Sequence, residues 1–197
     1  MGKLIVFDMD DVMYDFNGRV SAITGVPIEK FTQFNTYTNP NFTEDERQRI
    51  LRAYKDPFTY RNIEFDEKVL SLINDLYNNW PFPVMINSNC SSSIIRDIKM
   101  EQLLNAVDLP EADIQLNVID MRTDSFQKKL PDEIFILVDD SEHNIAMANA
   151  EHLIMPARQH NEGVLVNGML NGRPVYRPSW PDDMVDLVYQ IVKPYRK

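Results

Sequence analysis

Short apolar runs alternate with longer stretches of mixed polarity along the chain. The short runs occupy residues 3–7, 83–86, 134–138 and 153–155, and residues 113–120 form a less regular fifth. Runs of this length that stop at polar residues or proline are typical of buried strands. The stretches between them place apolar residues three or four positions apart, which predicts helices. Strands that alternate with helices predict an α/β fold with a Rossmann-like parallel sheet.

The stretch from residue 16 to residue 60 interrupts this alternation. Thr43 and Glu46 have the spacing of a capping box, and the apolar residues that follow them lie on one helical face. We therefore predict a small helical cap, residues 16–60, inserted after the first strand. The core then comprises residues 1–15 and 61–197.

Two helices and a hairpin are predicted within the core. Apolar residues at helical spacing occupy residues 69–77, and a second stripe occupies residues 184–192. The Asn-Gly pairs at 167–168 and 171–172 are typical of tight hairpin turns. The apolar face of the last helix should pack on the sheet.

The composition argues against several classes of protein. The formal net charge of -10 opposes binding to a nucleic-acid polymer or an anionic membrane, since both need cations against phosphates. The apolar run at the N-terminus is too short for a signal peptide or a membrane span. A single cysteine cannot form an internal disulfide. We expect a cytoplasmic protein with neither a membrane nor a nucleic-acid partner, and we leave a homodimer open.

Three of the predicted strands deliver hydrophilic residues at their carboxyl ends. These residues are Asp8 and Asp10, then Ser88 and Asn89, and finally Asp139 and Asp140. In parallel α/β sheets ligands bind at this edge, so residues far apart in the sequence should meet there. The sequence thereby predicts the position of the site.

Asp8 and Asp10 carry the strongest chemical signal. The two-residue period of a strand places both on the same side, where their charges repel. A divalent cation held by hard oxygen ligands relieves this repulsion, and Mg²⁺ suits such a site. Alternatively, the repulsion raises the pKa of one carboxyl group, which then serves as an acid. Both arrangements are compatible with one site.

The other polar residues supply groups that a bound phosphate needs. Ser88 and Asn89 can donate hydrogen bonds to its oxygens, and Lys128 or Lys129 can neutralise its charge. Together with the two acidic pairs, in this chain order, these residues resemble the haloacid dehalogenase superfamily of phosphatases and phosphotransferases. Positioning and charge neutralisation are also the main requirements of phosphoryl transfer.

The resemblance implies a role for each residue. Asp8 is the nucleophile that forms an aspartyl-phosphate, and Asp10 protonates the leaving oxygen and then activates the water. Ser88 and Asn89 hold a phosphate oxygen. Lys129, ten residues before Asp139, is favoured over Lys128 by its spacing and neutralises the phosphoryl charge. The same resemblance implies that Mg²⁺ is bound by Asp8, by Asp10 through its carbonyl and by Asp139, with Asp140 in support.

A narrower resemblance extends along the whole chain. The motif D-M-D-D-V-M-Y-D-F, the helical insertion, His160-Asn161 and S-W-P-D-D are similar to the 5'(3')-deoxyribonucleotidase family. It implies a 5'-nucleotidase of nucleotide metabolism that dephosphorylates nucleoside monophosphates, preferentially deoxy ones. The expected substrate contacts lie at the cap: Phe16, Tyr60 and Arg61. Asp11 stands where the family commonly has glycine, and it adds negative charge beside an anionic substrate.

We weigh three alternatives, and the second of them is disfavoured. The same catalytic residues could act on another small phosphorylated metabolite, such as a sugar phosphate. A signalling receiver domain also combines aspartate, magnesium and lysine, but its acceptor aspartate lies on a middle strand. A non-catalytic relative that binds phosphorylated ligands is the third.

Overall fold

The computed structural model describes residues 3–119 and 128–196. Five parallel strands form one sheet in the order β3-β2-β1-β4-β5. The strands are β1 (Leu4–Phe7), β2 (Val84–Cys90), β3 (Ile114–Val118), β4 (Ile134–Val138) and β5 (Ala150–Ile154). The α/β class and the parallel sheet predicted from the apolar runs are confirmed.

Six α-helices surround the sheet in the described part of the chain. They are α1 (Phe16–Thr24), α2 (Glu44–Lys55), α3 (Glu67–Asn79), α4 (Ser93–Ala106), α5 (Glu142–Met147) and α6 (Asp182–Val192). Short 3₁₀ helices comprise Ile28–Lys30, Pro57–Tyr60, Glu111–Asp113, Gln159–Asn161 and Lys193–Tyr195. Across the described ranges, no helix combines the length and the apolar character needed to cross a membrane.

Local sequence signals explain several of these boundaries. The predicted capping box is present, since the Thr43 hydroxyl accepts from the backbone of Glu46 and the Glu46 carboxylate accepts from the backbone of Thr43. Both predicted Asn-Gly turns are present too. Asn167 and Asn171 have φ values of 52° and 50°, which asparagine tolerates. The second turn joins a small antiparallel hairpin of β6 (Met169–Leu170) and β7 (Arg173–Pro174).

The core lies against both faces of the sheet. The central strand β1 and its neighbour β4 are almost completely buried, which matches their apolar composition. On α3 the predicted stripe is buried except at its end, where Tyr77 is 37% exposed. On α6 the residues Met184, Val188 and Val192 are fully buried. These helical faces pack where the hydrophobic pattern placed them.

Strand β2 is longer than predicted, and the difference bears on the site. The apolar run ends at residue 86, but the strand continues to Cys90 because its polar end pairs with β3. Ser88 is opposite Leu116, and Asn89 is opposite Asn117. Ser88 and Asn89 therefore lie within a strand, where their backbone is fixed by the sheet.

Residues between β1 and α3 lie over the carboxyl edge of the sheet. Helices α1 and α2 pack against each other, and the Arg49 side chain donates to the carbonyl of Thr24. The connection to the core runs through α4 and the loop before it. Ser91 Oγ donates to the carbonyl of Tyr54 at 3.2 Å, and Gln102 donates to the carbonyl of Tyr60.

Candidate active site

Asp8 lies at the centre of the carboxyl edge. Its backbone N–H donates to the carbonyl of Val138 at 2.8 Å, which ties the end of β1 to β4. Its side chain accepts from the backbone N–H of Met9 and is only 8% exposed. The sheet therefore fixes both the position and the direction of this carboxylate.

Lys128, and not Lys129, is the lysine of this cluster. Lys128 Nζ lies 2.6 Å from Asp8 Oδ2 and 2.8 Å from Asp139 Oδ2. Lys129 is exposed, and its carbonyl accepts a hydrogen bond from Asn87 Nδ2 at 2.9 Å. Spacing favoured Lys129, but the structure places Lys128 beside Asp8 and Asp139. Residues 128–130 form no regular element whose period would fix which side chain points inward.

Asp139 is held from several sides. It is fully buried, and its carboxylate accepts from the backbone N–H of Ser141 at 2.9 Å and from Asn144 Nδ2 at 3.2 Å. Asp140 beside it lies 2.8 Å from Nε2 of His160. Sequence reasoning assigned no chemistry to His160, because its partner is twenty positions away and no spacing rule links them.

The charges in this cluster depend on one another. Burial raises the pKa of Asp8 well above its usual value, although the charge of Lys128 opposes the shift. Burial likewise raises the pKa of Asp139, again opposed by Lys128. Burial alone would raise the pKa of Asp140, but the hydrogen bond and charge of His160 lower it below the usual value. Extra positive charge is therefore needed if all three carboxylates are to be ionised together.

Three of these carboxylates can hold a metal ion. Oxygen atoms of Asp8, Asp139 and Asp140 lie within 4.8 Å of one another. An all-oxygen, acidic ligand set fits Mg²⁺. The structure thus brings together the predicted ligands Asp8 and Asp139, and it adds the carboxylate of Asp140. The side chain of Asp10 does not join this set, which is compatible with ligation through its carbonyl.

The carboxylate of Asp10 has different partners. Lys99 Nζ lies 2.9 Å from its Oδ1 and 2.6 Å from its Oδ2, and the Tyr14 hydroxyl donates to Oδ1 at 2.5 Å. Lys99 belongs to α4 and is fully buried. Sequence reasoning missed Lys99, although one signal was present: it lies four residues from both Ile95 and Leu103, on the apolar stripe of its helix.

Asp11 occupies the left-handed backbone region, with φ of 56°. Its carboxylate accepts from the backbone N–H of Asn17 at 3.1 Å and from Asn17 Nδ2 at 2.7 Å. Arg158 Nε donates to its carbonyl at 2.7 Å. Burial, and then the charge of Asp140, raise the pKa of Asp11 to about 7. Aspartate tolerates this backbone geometry better than most residues do.

Asp11→Asn is expected to stabilise the metal-free protein above neutral pH, and to lose this advantage in acid. The folded protein keeps the Asp11 proton up to a pKa of about 7, whereas an unfolded chain releases it near ~3.9. Between these values wild-type stability falls as pH rises, and asparagine does not titrate. Urea denaturation with chelator should show a gain of about 1–3 kcal/mol near pH 8 and little near pH ~4. A gain that does not change with pH would contradict this account.

Ser88 lies beside the acidic cluster, as the sequence predicted. It is almost completely buried at the end of β2, next to β1 in the sheet. Asn89 is also at this end, and both residues line the same cavity as Asp8 and Lys128. The structure therefore brings a hydroxyl and an amide to the position where a phosphate bound at Asp8 would need donors.

This cavity has a volume of about 460 Å³ and lies between the sheet edge and residues of α1, α2 and the loop between them. Phe16 and Tyr60, the two aromatic residues predicted to contact the substrate, line it. They are mostly buried and stack on each other, with ring centroids 5.5 Å apart. Phe34 and Tyr37 also line it, and each is 50% exposed. These two rings are the ones with surface to offer a ligand.

Arg61 does not reach the cavity. It follows the 3₁₀ helix Pro57–Tyr60, whose last residue points inward, and its own side chain is exposed. Its carbonyl instead accepts from the side chain of Arg19. The substrate contact predicted for Arg61 therefore has no counterpart among the residues that line this cavity. Among the described lining residues, Lys128 is the one lysine or arginine, and four aspartates accompany it.

Comparisons with solved structures agree with this architecture. The crystal structure of a hydrolase from Pseudomonas syringae has 13% sequence identity and a TM-score of 0.52, and the alignment covers 97% of this chain and 99% of that one. The crystal structure of a dehalogenase has 10% identity and a TM-score of 0.53, and 96% of each chain is covered. No family model and no curated protein matches the sequence. The likeness shows that this chain has the same α/β fold as these two proteins.

Proposed function

We propose that this chain is a magnesium-dependent phosphohydrolase with Asp8 as its nucleophile. The observation that carries the proposal is the Asp8 carboxylate on a cavity wall, paired with Lys128 and grouped with two further carboxylates. Phosphoryl transfer needs a fixed nucleophile in line with the leaving group and positive charge around the phosphoryl oxygens. Lys128 supplies one such charge, and bound Mg²⁺ would supply the rest.

The reaction takes two steps. First, an Asp8 oxygen bonds to phosphorus, the bond from phosphorus to the ester oxygen breaks, and the departing oxygen takes a proton from Asp10. Second, a water oxygen bonds to phosphorus, the bond to Asp8 breaks, and a proton of that water returns to Asp10. Inorganic phosphate leaves and Asp8 is regenerated. Ser88, Asn89 and Lys128 hold the phosphoryl oxygens in both steps.

The substrate we propose is a nucleoside monophosphate, preferentially a deoxynucleotide. A cavity of about 460 Å³ has the size of ordinary small-molecule sites. The half-exposed rings of Phe34 and Tyr37 offer a platform on which a nucleobase can stack. One lysine among four aspartates leaves no charge for a second phosphate, which favours monophosphates over diphosphates. The resemblance to 5'(3')-deoxyribonucleotidases supports the same class.

Other chemistry on this fold is less favoured by the site. A sugar phosphate would use the same catalytic residues but would leave the rings of Phe34 and Tyr37 without a role. Dehalogenation releases a halide that needs no proton, so it would use Asp10 only to activate water and not as an acid.

The test is phosphate release from a panel of substrates, with Mg²⁺ and with chelator. The panel holds deoxyribonucleoside and ribonucleoside monophosphates, a deoxynucleoside diphosphate, common sugar phosphates and a 2-halogenated acid. We expect magnesium-dependent turnover of the monophosphates, preferentially deoxy, and at least tenfold lower turnover of the diphosphate. The Asp8→Asn variant provides the blank.

Three other outcomes of this assay would contradict the proposal in part or in full. Turnover confined to sugar phosphates would keep the mechanism and discard the nucleotide. Halide release without phosphate release would discard the mechanism itself. No turnover by folded protein would favour a non-catalytic relative that binds phosphorylated ligands.

A further inference from the structure

Lys99 is a charged residue in a position where helices normally place apolar ones. It shares the buried stripe of α4 with Ile95 and Leu103, and its side chain is only 1% exposed. Burying an ammonium group is costly unless a charged partner compensates. The partner is Asp10, 89 positions earlier in the chain, so the fold itself brings the two together.

The partner is not buried to the same degree. The side chain of Asp10 is 26% exposed and lines the cavity, whereas Lys99 approaches it from the protein interior. Lys99 Nζ also lies 5.1 Å from the ring centroid of Tyr60, a wall of that cavity. A purely structural ion pair has no need to keep one partner open to a ligand cavity. This asymmetry indicates that the ion pair acts on a ligand in the cavity through Asp10.

The two oxygens of Asp10 are not equivalent. Oδ1 accepts from both the Tyr14 hydroxyl and Lys99. Within the described ranges, Oδ2 has a hydrogen bond from Lys99 alone. A carboxylate oxygen can accept about two hydrogen bonds. Oδ2 is therefore the oxygen with capacity left for a ligand.

We propose that Lys99 is a positioning residue, which together with Tyr14 holds Asp10 so that Oδ2 exchanges the proton in both steps of the reaction. The inference rests on the proposed function, in which Asp10 gives its proton to the leaving oxygen and recovers one from water. Asp10 lines the cavity, whereas Lys99 is not among its lining residues. Lys99 acts by fixing the direction of the Asp10 carboxylate, and a misplaced acid or base loses most of its effect.

Lys99→Met tests the inference, since methionine has similar length and lacks charge. The value of kcat/KM is measured for a deoxynucleoside monophosphate, whose alkoxide needs a proton, and for p-nitrophenyl phosphate, whose phenolate leaves without one. We expect about a hundredfold loss for the nucleotide and less than about tenfold for p-nitrophenyl phosphate. In the Asp10→Asn background, the same substitution should cause no further loss with either substrate.

Two further variants keep the test decisive. Leu103→Met repacks the same stripe of α4 without touching Asp10, and both of its kcat/KM values should stay near wild type. Tyr14→Phe removes one hydroxyl, and it should show the same selective loss at about tenfold even if Lys99→Met does not fold. Thermal denaturation of every variant establishes that it is folded.

The outcomes separate this inference from the proposed function. Wild-type turnover with equal losses for both substrates in Lys99→Met and in Tyr14→Phe would overturn the role of Lys99 and leave the phosphohydrolase intact. An additive loss in the Asp10→Asn background would also overturn it. If the wild type hydrolyses neither substrate with Mg²⁺ present, the proposed function fails, and the inference fails with it.

Discussion

Asp8→Asn should abolish phosphate release while leaving the protein folded. The amide cannot act as the nucleophile, and losing a residue of this kind typically costs at least ~10⁴-fold in kcat. The position is fixed by the strand and by the bond from Asp8 N–H to Val138, so the isosteric side chain should take the same place. Steady-state kinetics on the substrate that the wild type prefers measures the loss.

The stability of this variant provides its control. Burial raises the pKa of Asp8, so the folded, metal-free protein resists the charge that the unfolded chain carries at neutral pH. A group of this kind lowers stability as pH rises past its unfolded pKa. Asp8→Asn should therefore melt at or above the wild-type temperature at neutral pH with chelator. An inactive variant that is already unfolded at the assay temperature would show that lost folding, and not lost chemistry, explains the result.

The sheet could be predicted because its strands differ strongly from their surroundings. Strand β4 is buried at all of its positions and begins and ends where the apolar run does. The end of strand β2 could not be predicted in this way. Its last residues are polar, and they belong to the strand because they pair with β3. Local sequence predicts which residues are buried, but it does not reveal which strand will pair with a given segment.

The acidic part of the candidate site followed from the same reasoning. Aspartates after apolar strands had to meet at the carboxyl edge, and Asp8, Asp139 and Asp140 do meet there. Residues supplied by other elements were harder to predict. Lys99 comes from the interior of α4, and its meaning depends on Asp10. The hydrophobic stripe of α4 holds a lysine at one position, and that anomaly was the available clue.

The aromatic predictions show a related limit. Phe16 and Tyr60 line the cavity, yet they stack on each other, so packing buries most of their surface. Arg61 lies next to Tyr60 in sequence but points away from the cavity. Arg61 follows the 3₁₀ helix in an extended backbone conformation, so its side chain is exposed although that of Tyr60 is buried. Sequence alone does not reveal which neighbour faces the ligand.

The second large effect is expected at Lys128, with Lys129 as its matched control. Lys128→Met removes the ammonium group that lies 2.6 Å from Asp8 and 2.8 Å from Asp139. Phosphoryl oxygens then lose a fixed positive charge, and electrostatic groups of this kind contribute about 10²–10³-fold to kcat. Lys129→Met removes an exposed charge. The contact of Lys129 with Asn87 is made by its backbone carbonyl, which this substitution keeps. We expect its kcat to stay within about threefold of wild type.

The pair of variants also distinguishes charge from packing. Because Lys128 compensates two buried carboxylates, its removal should lower the melting temperature in chelator. Lys129→Met should leave the melting temperature unchanged. Equal losses in both variants would mean that the local backbone matters and that neither ammonium group does. A loss confined to Lys129→Met would restore the assignment that spacing favoured and would contradict the ion pairs seen at Lys128.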